Sequence, residues 1–138
     1  MVEIPLSSEN AVFVRVDYTD DEAWSELMRT VTAPNEDGFV SYVDFVSDPA
    51  LDGLTADDVR RSLPSAYHHD YAFVADAQTF RTDDRLILVL YVDGDSTADF
   101  RTVPSGVQGI DNNLSIANMD FEEFSQQATL DGGVFRGF

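Results

Sequence analysis

The longest apolar run in the chain, LILVLYV at residues 86–92, places the strongest limit on its fold. The run is far shorter than the about 20 residues that a helix needs to cross a bilayer. Its β-branched side chains, bounded by Arg85 and Asp93, predict a strand. Because successive side chains of a strand point to opposite faces, a strand that is apolar throughout must be covered on both faces. We therefore expect a sheet with layers packed on each side.

The rest of the chain supplies these layers by alternating strand and helix patterns. The alternation βαβαβ, followed by ββα, predicts a single domain over residues 1–138. Its fold class is an α/β sandwich with a mixed sheet of about five strands and three to four helices. Strands are predicted within residues 11–17, 38–49, 71–76, 85–93 and 99–104, and helices within 19–31, 54–64, a turn or two between 103 and 114, and a last one after Asp120.

Pairs of residues spaced three apart mark the predicted helix starts. In such a pair a Ser, Thr or Asp side chain accepts a bond from the first helical turn, and an acidic residue bonds back to the cap. The pairs are Thr19 with Glu22, Thr55 with Asp58, and Asp120 with Glu123.

Charge limits the partners that this chain can take. Its 138 residues carry 26 acidic side chains against eight basic ones, a net charge of −18, and all eight basic residues are arginine. Without a basic patch, binding to nucleic acid or to an anionic membrane is disfavoured, whereas a basic protein partner is compatible. The missing lysine fits either adaptation to high salt or an acidic protein from a GC-rich mesophile.

The cysteine content and the N-terminal sequence limit the possible chemistry of the chain and indicate its cellular location. The chain has no cysteine, which excludes disulfides, thiol catalysis and thiolate metal ligands. Its N-terminus, MVEIPLSSEN, lacks the basic and apolar regions of a signal peptide. We therefore expect a cytoplasmic protein.

Three predicted strands end in aspartate, which gives a candidate metal site. The residues are Asp17, Asp76 and Asp93. If their strands are parallel neighbours, the carboxylates converge where open α/β sheets bind ligands, in a position to hold Mg²⁺. The alternative is that they only cap elements, because aspartate is abundant here and favours element ends.

His69 and three asparagines are the candidate ligand-facing residues. His68 and His69 are adjacent and point to opposite sides of an extended chain, so they do not readily share a metal. Either one is a possible general base with Asp70 or Asp76. Asparagine also tolerates left-handed backbone, so a tight turn at 111–113 is the alternative to a ligand-binding role. The asparagines are Asn112, Asn113 and Asn118.

The segment from Val103 to Phe138 carries a more specific pattern. VPSGVQGIDNNLSIANMDFEEF and the terminal GGVFRGF, together with FVAD and DYTDDEAW, resemble a family of small acidic proteins widespread in actinomycetes and known only as a domain of unknown function. The resemblance runs over nearly the whole chain. It implies an intracellular stand-alone domain, and it transfers no catalytic residue because none is established for the family.

Two hypotheses of function follow. The first is a non-enzymatic interaction domain, an immunity-like or accessory protein that neutralises a basic partner. It rests on the negative charge and on the lack of a nucleophile elbow, metal motif or phosphate loop in the sequence, and we predict no cofactor. The alternative is an enzyme or a metal-dependent small-ligand binder that uses the strand-end aspartates with His69 or Asn112. The sequence favours the first and leaves the oligomeric state open.

Overall fold

The computed structural model describes residues 2–94 and 96–138, and it confirms the predicted α/β sandwich with a mixed sheet. Six strands and five helices occur in these residues, one strand and one helix more than predicted. The strands are β1 (Ala11–Arg15), β2 (Val43–Val46), β3 (Tyr71–Ala75), β4 (Ile87–Tyr91), β5 (Phe100–Thr102) and β6 (Val134–Phe135), and the helices are α1 (Asp21–Thr32), α2 (Ala56–Ser62), α3 (Ala77–Arg81), α4 (Val107–Ser115) and α5 (Phe121–Thr129).

The strands lie in the order β2-β1-β3-β4-β5-β6. The first three of these are parallel, β4 runs antiparallel to both β3 and β5, and β6 is parallel to β5. We call the end of the sheet at which β1, β2 and β3 begin the leading end, and the end at which they finish the trailing end. Because Tyr71 pairs with Tyr91, β4 finishes at the leading end.

Helices cover both faces of the sheet, as the apolar run in β4 requires. On one face, Phe13 and Phe73 pack with α1, α4 and α5, and Val89 of β4 joins them. On the other, Val74 and Leu90 pack with α2 and the N-terminal segment. No helix within the described ranges is long and apolar enough to cross a membrane.

Two of the three predicted helix starts are confirmed. Thr55 and Asp58 exchange hydrogen bonds at the start of α2, and the Asp120 N–H donates to Glu123 at the start of α5. The start of α1 was predicted one residue early. Its cap is Asp20, whose carboxylate accepts from the N–H of Ala23.

Thr19 does not cap α1 because its hydrogen bonds are made to Asp17, two residues earlier in the chain. Its N–H and its hydroxyl both donate to the carboxylate of Asp17, at 3.0 and 2.5 Å. This turn places Thr19 before the helix and leaves Asp20 to accept from the first helical turn.

The sequence patterns missed α3 and β6 because both are very short. The five residues of α3 give too little sequence for a periodic pattern, and its start is a reciprocal bond between Asp76 and Thr79. β6 has two residues and forms only by pairing with β5, through Val134 opposite Arg101 and Phe135 opposite Thr102.

Candidate functional site

A cavity of about 280 Å³ opens at the leading end of the sheet. Its walls come from the segment that leads into β1, the loop before β2, His69 in the segment before β3, and one side of α4. The lining residues are Glu9, Asn10, Ala11, Gly38, Phe39, Val40, Tyr42, His69, Gln108, Asp111, Asn112 and Ser115.

Asp111 is the chemical centre of this cavity. Only 7% of the residue is exposed, and its Oδ1 accepts a hydrogen bond of 2.6 Å from the hydroxyl of Tyr71, which is fully buried. The helix places it there, because Val107, Ile110 and Leu114 form the buried stripe of α4 and Asp111 falls on the same stripe. A carboxylate thus occupies a position where helical spacing predicts an apolar side chain.

The pKa of the Asp111 carboxyl is raised. Burial is the main cause, and the bonds from the Tyr71 hydroxyl and the Tyr42 backbone, with the charge of His69, only partly offset it. Burial and the nearby Asp111 also raise the pKa of Tyr71, so its hydroxyl remains a donor. Within the described part of the chain Asp111 makes no ion pair, and no arginine lines its cavity.

Aromatic and polar side chains form the mouth of the cavity. Phe39 and Tyr42, three positions apart in the sequence, have exposed fractions of 59% and 69%. Two large aromatic residues so exposed and so close together are unusual on a protein surface. The Nε2 of His69 lies 2.7 Å from the backbone oxygen of Glu9, and since a carbonyl only accepts, Nε2 carries the proton. The His69 ring also packs edge-on against the Tyr71 ring.

The four predicted ligand-facing residues separate into two pairs. His69 and Asn112 line the cavity. Asn113 and Asn118 instead bond to each other at 2.8 Å, and the Asn113 amide also donates to the backbone oxygen of Gly109. They stabilise the end of α4 and are not among the residues that line the cavity.

The tight turn at 111–113, the alternative to a ligand-binding role for the asparagines, does not form. Asn112 and Asn113 lie inside α4, and the left-handed residue of this region is Ala117, with φ of 54°. The apolar stripe of α4 gains more from burial than the asparagines gain from a turn, so helix formation prevails. The chain reverses only after the helix ends.

The three strand-end aspartates do not converge, because the parallel arrangement that the metal site required is absent. β4 is antiparallel, so Asp93 follows it at the leading end, whereas Asp17 and Asp76 follow β1 and β3 at the trailing end. Among the residues that the structure describes, no group of three His, Cys, Asp or Glu side chains is placed to hold a metal ion.

Asp76 already has a full set of protein partners. Its two oxygens accept from the two terminal nitrogens of Arg101 at 2.7 and 2.8 Å, and Oδ1 also accepts from the N–H of Thr79. The pKa of Asp76 is lowered: burial pushes it upwards, but the bond and charge of Arg101 and the bonds from Thr79 outweigh burial. This carboxylate connects α3 to β5 and therefore has a structural role.

Sequence reasoning missed Asp111, the best-placed acidic group. The signal was present, since Asp111 lies four residues after Val107 and three before Leu114, on the stripe that predicts the helix. It also missed the aromatic mouth, because Phe39 and Tyr42 fell in a segment predicted to contain a strand with both faces apolar.

Comparison with known proteins adds a family and no activity. The model of the family described as Domain of unknown function (DUF6924) matches residues 10–138. This confirms the resemblance at the level of a family of unknown function, and the match includes every residue that lines the cavity except Glu9. No curated protein and no solved structure matches the chain significantly.

Proposed function

We propose a function on one premise: the chain belongs to the DUF6924 family, whose description names no activity. The function is that of a non-enzymatic interaction domain, an accessory or immunity-like protein, that binds a basic partner. The cavity at the leading end receives a cationic group of that partner, and Asp111 is its counter-ion.

The single observation that carries this proposal is the buried carboxylate of Asp111, which has no arginine partner and makes no ion pair within the described residues. Transferring a charged carboxylate from water into a protein interior is costly unless the charge is paired. Elsewhere the fold meets this cost with arginine, as in the pairs Arg101–Asp76 and Arg60–Asp99. A cation that enters the cavity from a partner supplies the same compensation at Asp111.

The surroundings of Asp111 suit a guanidinium or ammonium group. One oxygen of the carboxylate is held by Tyr71, which fixes the orientation of the group. The exposed rings of Phe39 and Tyr42 can contact the aliphatic stem of a basic side chain or face its charge. The net charge of −18 also accelerates the encounter with a positively charged partner.

The alternative, an enzyme or a metal-dependent small-ligand binder, draws less support from the same geometry. It relied on Asp17, Asp76 and Asp93, of which Asp76 is bound to Arg101 at the trailing end and Asp93 lies at the leading end, apart from the other two. His69 and Asn112 do reach the cavity, but the strand-end aspartates that this alternative requires are not among its lining residues.

The test uses the smallest ligand that carries the proposed charge. Isotope-labelled protein is titrated with Nα-acetyl-arginine amide and, as a neutral isostere, with Nα-acetyl-citrulline amide, and amide resonances are followed by NMR. We expect saturable shifts confined to residues around Asp111, His69 and Asn112 with the arginine compound alone. A charge-assisted bond contributes about 1.5–3 kcal/mol, so Asp111→Asn should weaken binding by about tenfold or more.

The matched control is Asp83→Asn. Asp83 is exposed, so this variant removes the same formal charge away from the cavity and should bind like the unaltered protein. Equal responses to the arginine and citrulline compounds would contradict the proposal. So would equal weakening in both variants, because net charge and not Asp111 would then explain the binding.

A further inference from the structure

In the part of the chain that the structure describes, β2 forms one edge of the sheet and pairs with β1 alone. Its residues Val43, Asp44 and Phe45 are partly exposed. Apart from the ladder to β1, the described residues make no hydrogen bond to the backbone of residues 43–46. The outer side of β2 therefore presents N–H and C=O groups on which a further strand can pair.

Cavities lie at both ends of this free edge. The segment that enters β2 contributes Phe39, Val40 and Tyr42 to the cavity of Asp111. The segment that leaves β2 forms a second cavity, of about 480 Å³, with the N-terminal segment; its lining residues are Pro5, Leu6, Ser7, Phe45, Val46, Ser47, Asp48 and Pro49. An extended ligand of about six residues, at about 3.3 Å per residue, has the length to run from one cavity to the other.

Charge indicates which ligand suits this edge. Of the described residues that line the two cavities none is an arginine, whereas Glu9 and Asp111 line the first cavity and Asp48 lines the second. Asp44 lies on β2 itself, held by the Ser8 hydroxyl at 2.7 Å. A second copy of this chain would bring a net charge of −18 against the same charge, so pairing of two β2 edges is disfavoured.

We propose that the partner docks an extended segment, basic at one position and apolar at others, as a seventh strand on the free edge of β2. One basic side chain of that segment enters the cavity of Asp111, and this part rests on the function proposed above. Backbone pairing supplies affinity that is independent of side chains, and the two flanking cavities select the side chains.

The comparison that tests strand pairing changes the ligand and not the protein, so loss of folding cannot explain its result. The probe is the peptide Ac-TRVTVT-NH2, which carries one arginine as the reference compound does. The control is the same peptide with N-methyl groups on alternate backbone nitrogens, which keeps the charge and removes the pairing. We expect the unmodified peptide to bind at least tenfold more tightly than Nα-acetyl-arginine amide and to slow hydrogen exchange within Val43–Val46. We also expect the N-methylated peptide to lose that gain.

Three outcomes separate this inference from the function on which it rests. If the single arginine compound binds at Asp111 but the peptide gains nothing over it, the edge inference is wrong and the cation site stands. Equal binding of the two peptides would likewise overturn strand pairing. If the peptide protects β2 while Asp111→Asn changes neither ligand's affinity, the edge is a docking site and the proposed role of Asp111 fails.

Discussion

Asp76 and Asp111 lie near opposite ends of the same sheet and make a direct comparison. Both are largely removed from water, with 25% of the Asp76 side chain and 7% of Asp111 exposed. Yet the pKa of Asp76 is lowered and that of Asp111 is raised. Burial acts in the same direction on both, so the partners decide the difference: Arg101 faces the first carboxylate, and a neutral Tyr71 hydroxyl faces the second.

The two carboxylates differ in whether a cationic side chain compensates their burial. The pair of Asp76 and Arg101 joins α3 to β5 and leaves no charge uncompensated. Asp111 is a buried carboxyl group at a cavity, with no arginine partner among the described residues, which is costly. The trailing end is therefore held by an ion pair, and the leading end carries the cavity that we propose as the binding region.

The largest expected effect is at Asp76. Asp76→Asn should lower the free energy of unfolding at pH 7 by about 2–3 kcal/mol, because Arg101 is left without its counter-ion. The pKa of Asp76 is lower in the folded protein than its ordinary value of 3.8. Its ionised carboxylate therefore stabilises the fold above pH 3.8, and this stabilisation is lost as the pH falls through the pKa of the folded state. Denaturant unfolding at pH 7 and at pH 3 should show the difference shrinking in acid. A constant difference would mean that the ion pair is not its source.

A smaller effect of opposite sign is expected at Asp111. The pKa of Asp111 is higher in the folded protein than its ordinary value of 3.8. Its contribution to the free energy of unfolding is therefore complete below pH 3.8 and is lost as the pH rises through the pKa of the folded state. Asp111→Asn cannot ionise, so it should raise the free energy of unfolding at pH 7 by about 1 kcal/mol, a usual gain when a functional site is relieved. The gain should disappear in acid.

Asp83→Asn again serves as the control for Asp111, since it removes one charge from an exposed position. The stability gain counts only as far as it exceeds that of the control. If Asp111→Asn instead destabilises the protein, the carboxylate is part of a stabilising network, and the contrast between the two ends of the sheet is wrong.

The two adjacent asparagines of α4 should differ by a smaller amount. Asn113→Ala removes the bonds to Gly109 and Asn118 and should cost about 1 kcal/mol. Asn112→Ala should stay within about 0.5 kcal/mol, because Asn112 is exposed and alanine favours helices. Thermal unfolding measures both. Titration with Nα-acetyl-arginine amide should show the reverse order, with binding altered at Asn112 and retained at Asn113.

The smallest expected effect is the change with salt concentration in the stability that the Asp76–Arg101 ion pair contributes. Between 0.01 M and 1 M NaCl the screening length falls from about 30 Å to about 3 Å, so repulsion among exposed carboxylates fades and the thermal midpoint should rise. The loss caused by Asp76→Asn should change by less than about 0.5 kcal/mol, since partly buried pairs are screened less. A midpoint that keeps rising above 1 M would indicate adaptation to high salt, and a plateau would indicate an acidic mesophilic protein.

The candidate metal site required its three strands to be parallel neighbours, and the sequence contains information on that condition. A parallel crossover needs a dozen or more residues and usually a full helix, whereas the link between Ala75 and Ile87 contains only the five-residue helix α3. The short link therefore makes β4 antiparallel to β3. This reversal places Asp93 at the other end of the sheet from Asp17 and Asp76, so the three carboxylates of the candidate metal site do not converge.

The sequence by itself determined the local elements and the layers. The apolar run of β4, the helical stripes and the caps at Thr55 and Asp120 depend on residues that lie close together along the chain, so their patterns can be read directly. Only the tertiary structure decided which carboxylate meets a cation. Asp76 reaches Arg101 across 25 positions and Asp111 reaches Tyr71 across 40, and no local pattern determines contacts between such distant residues.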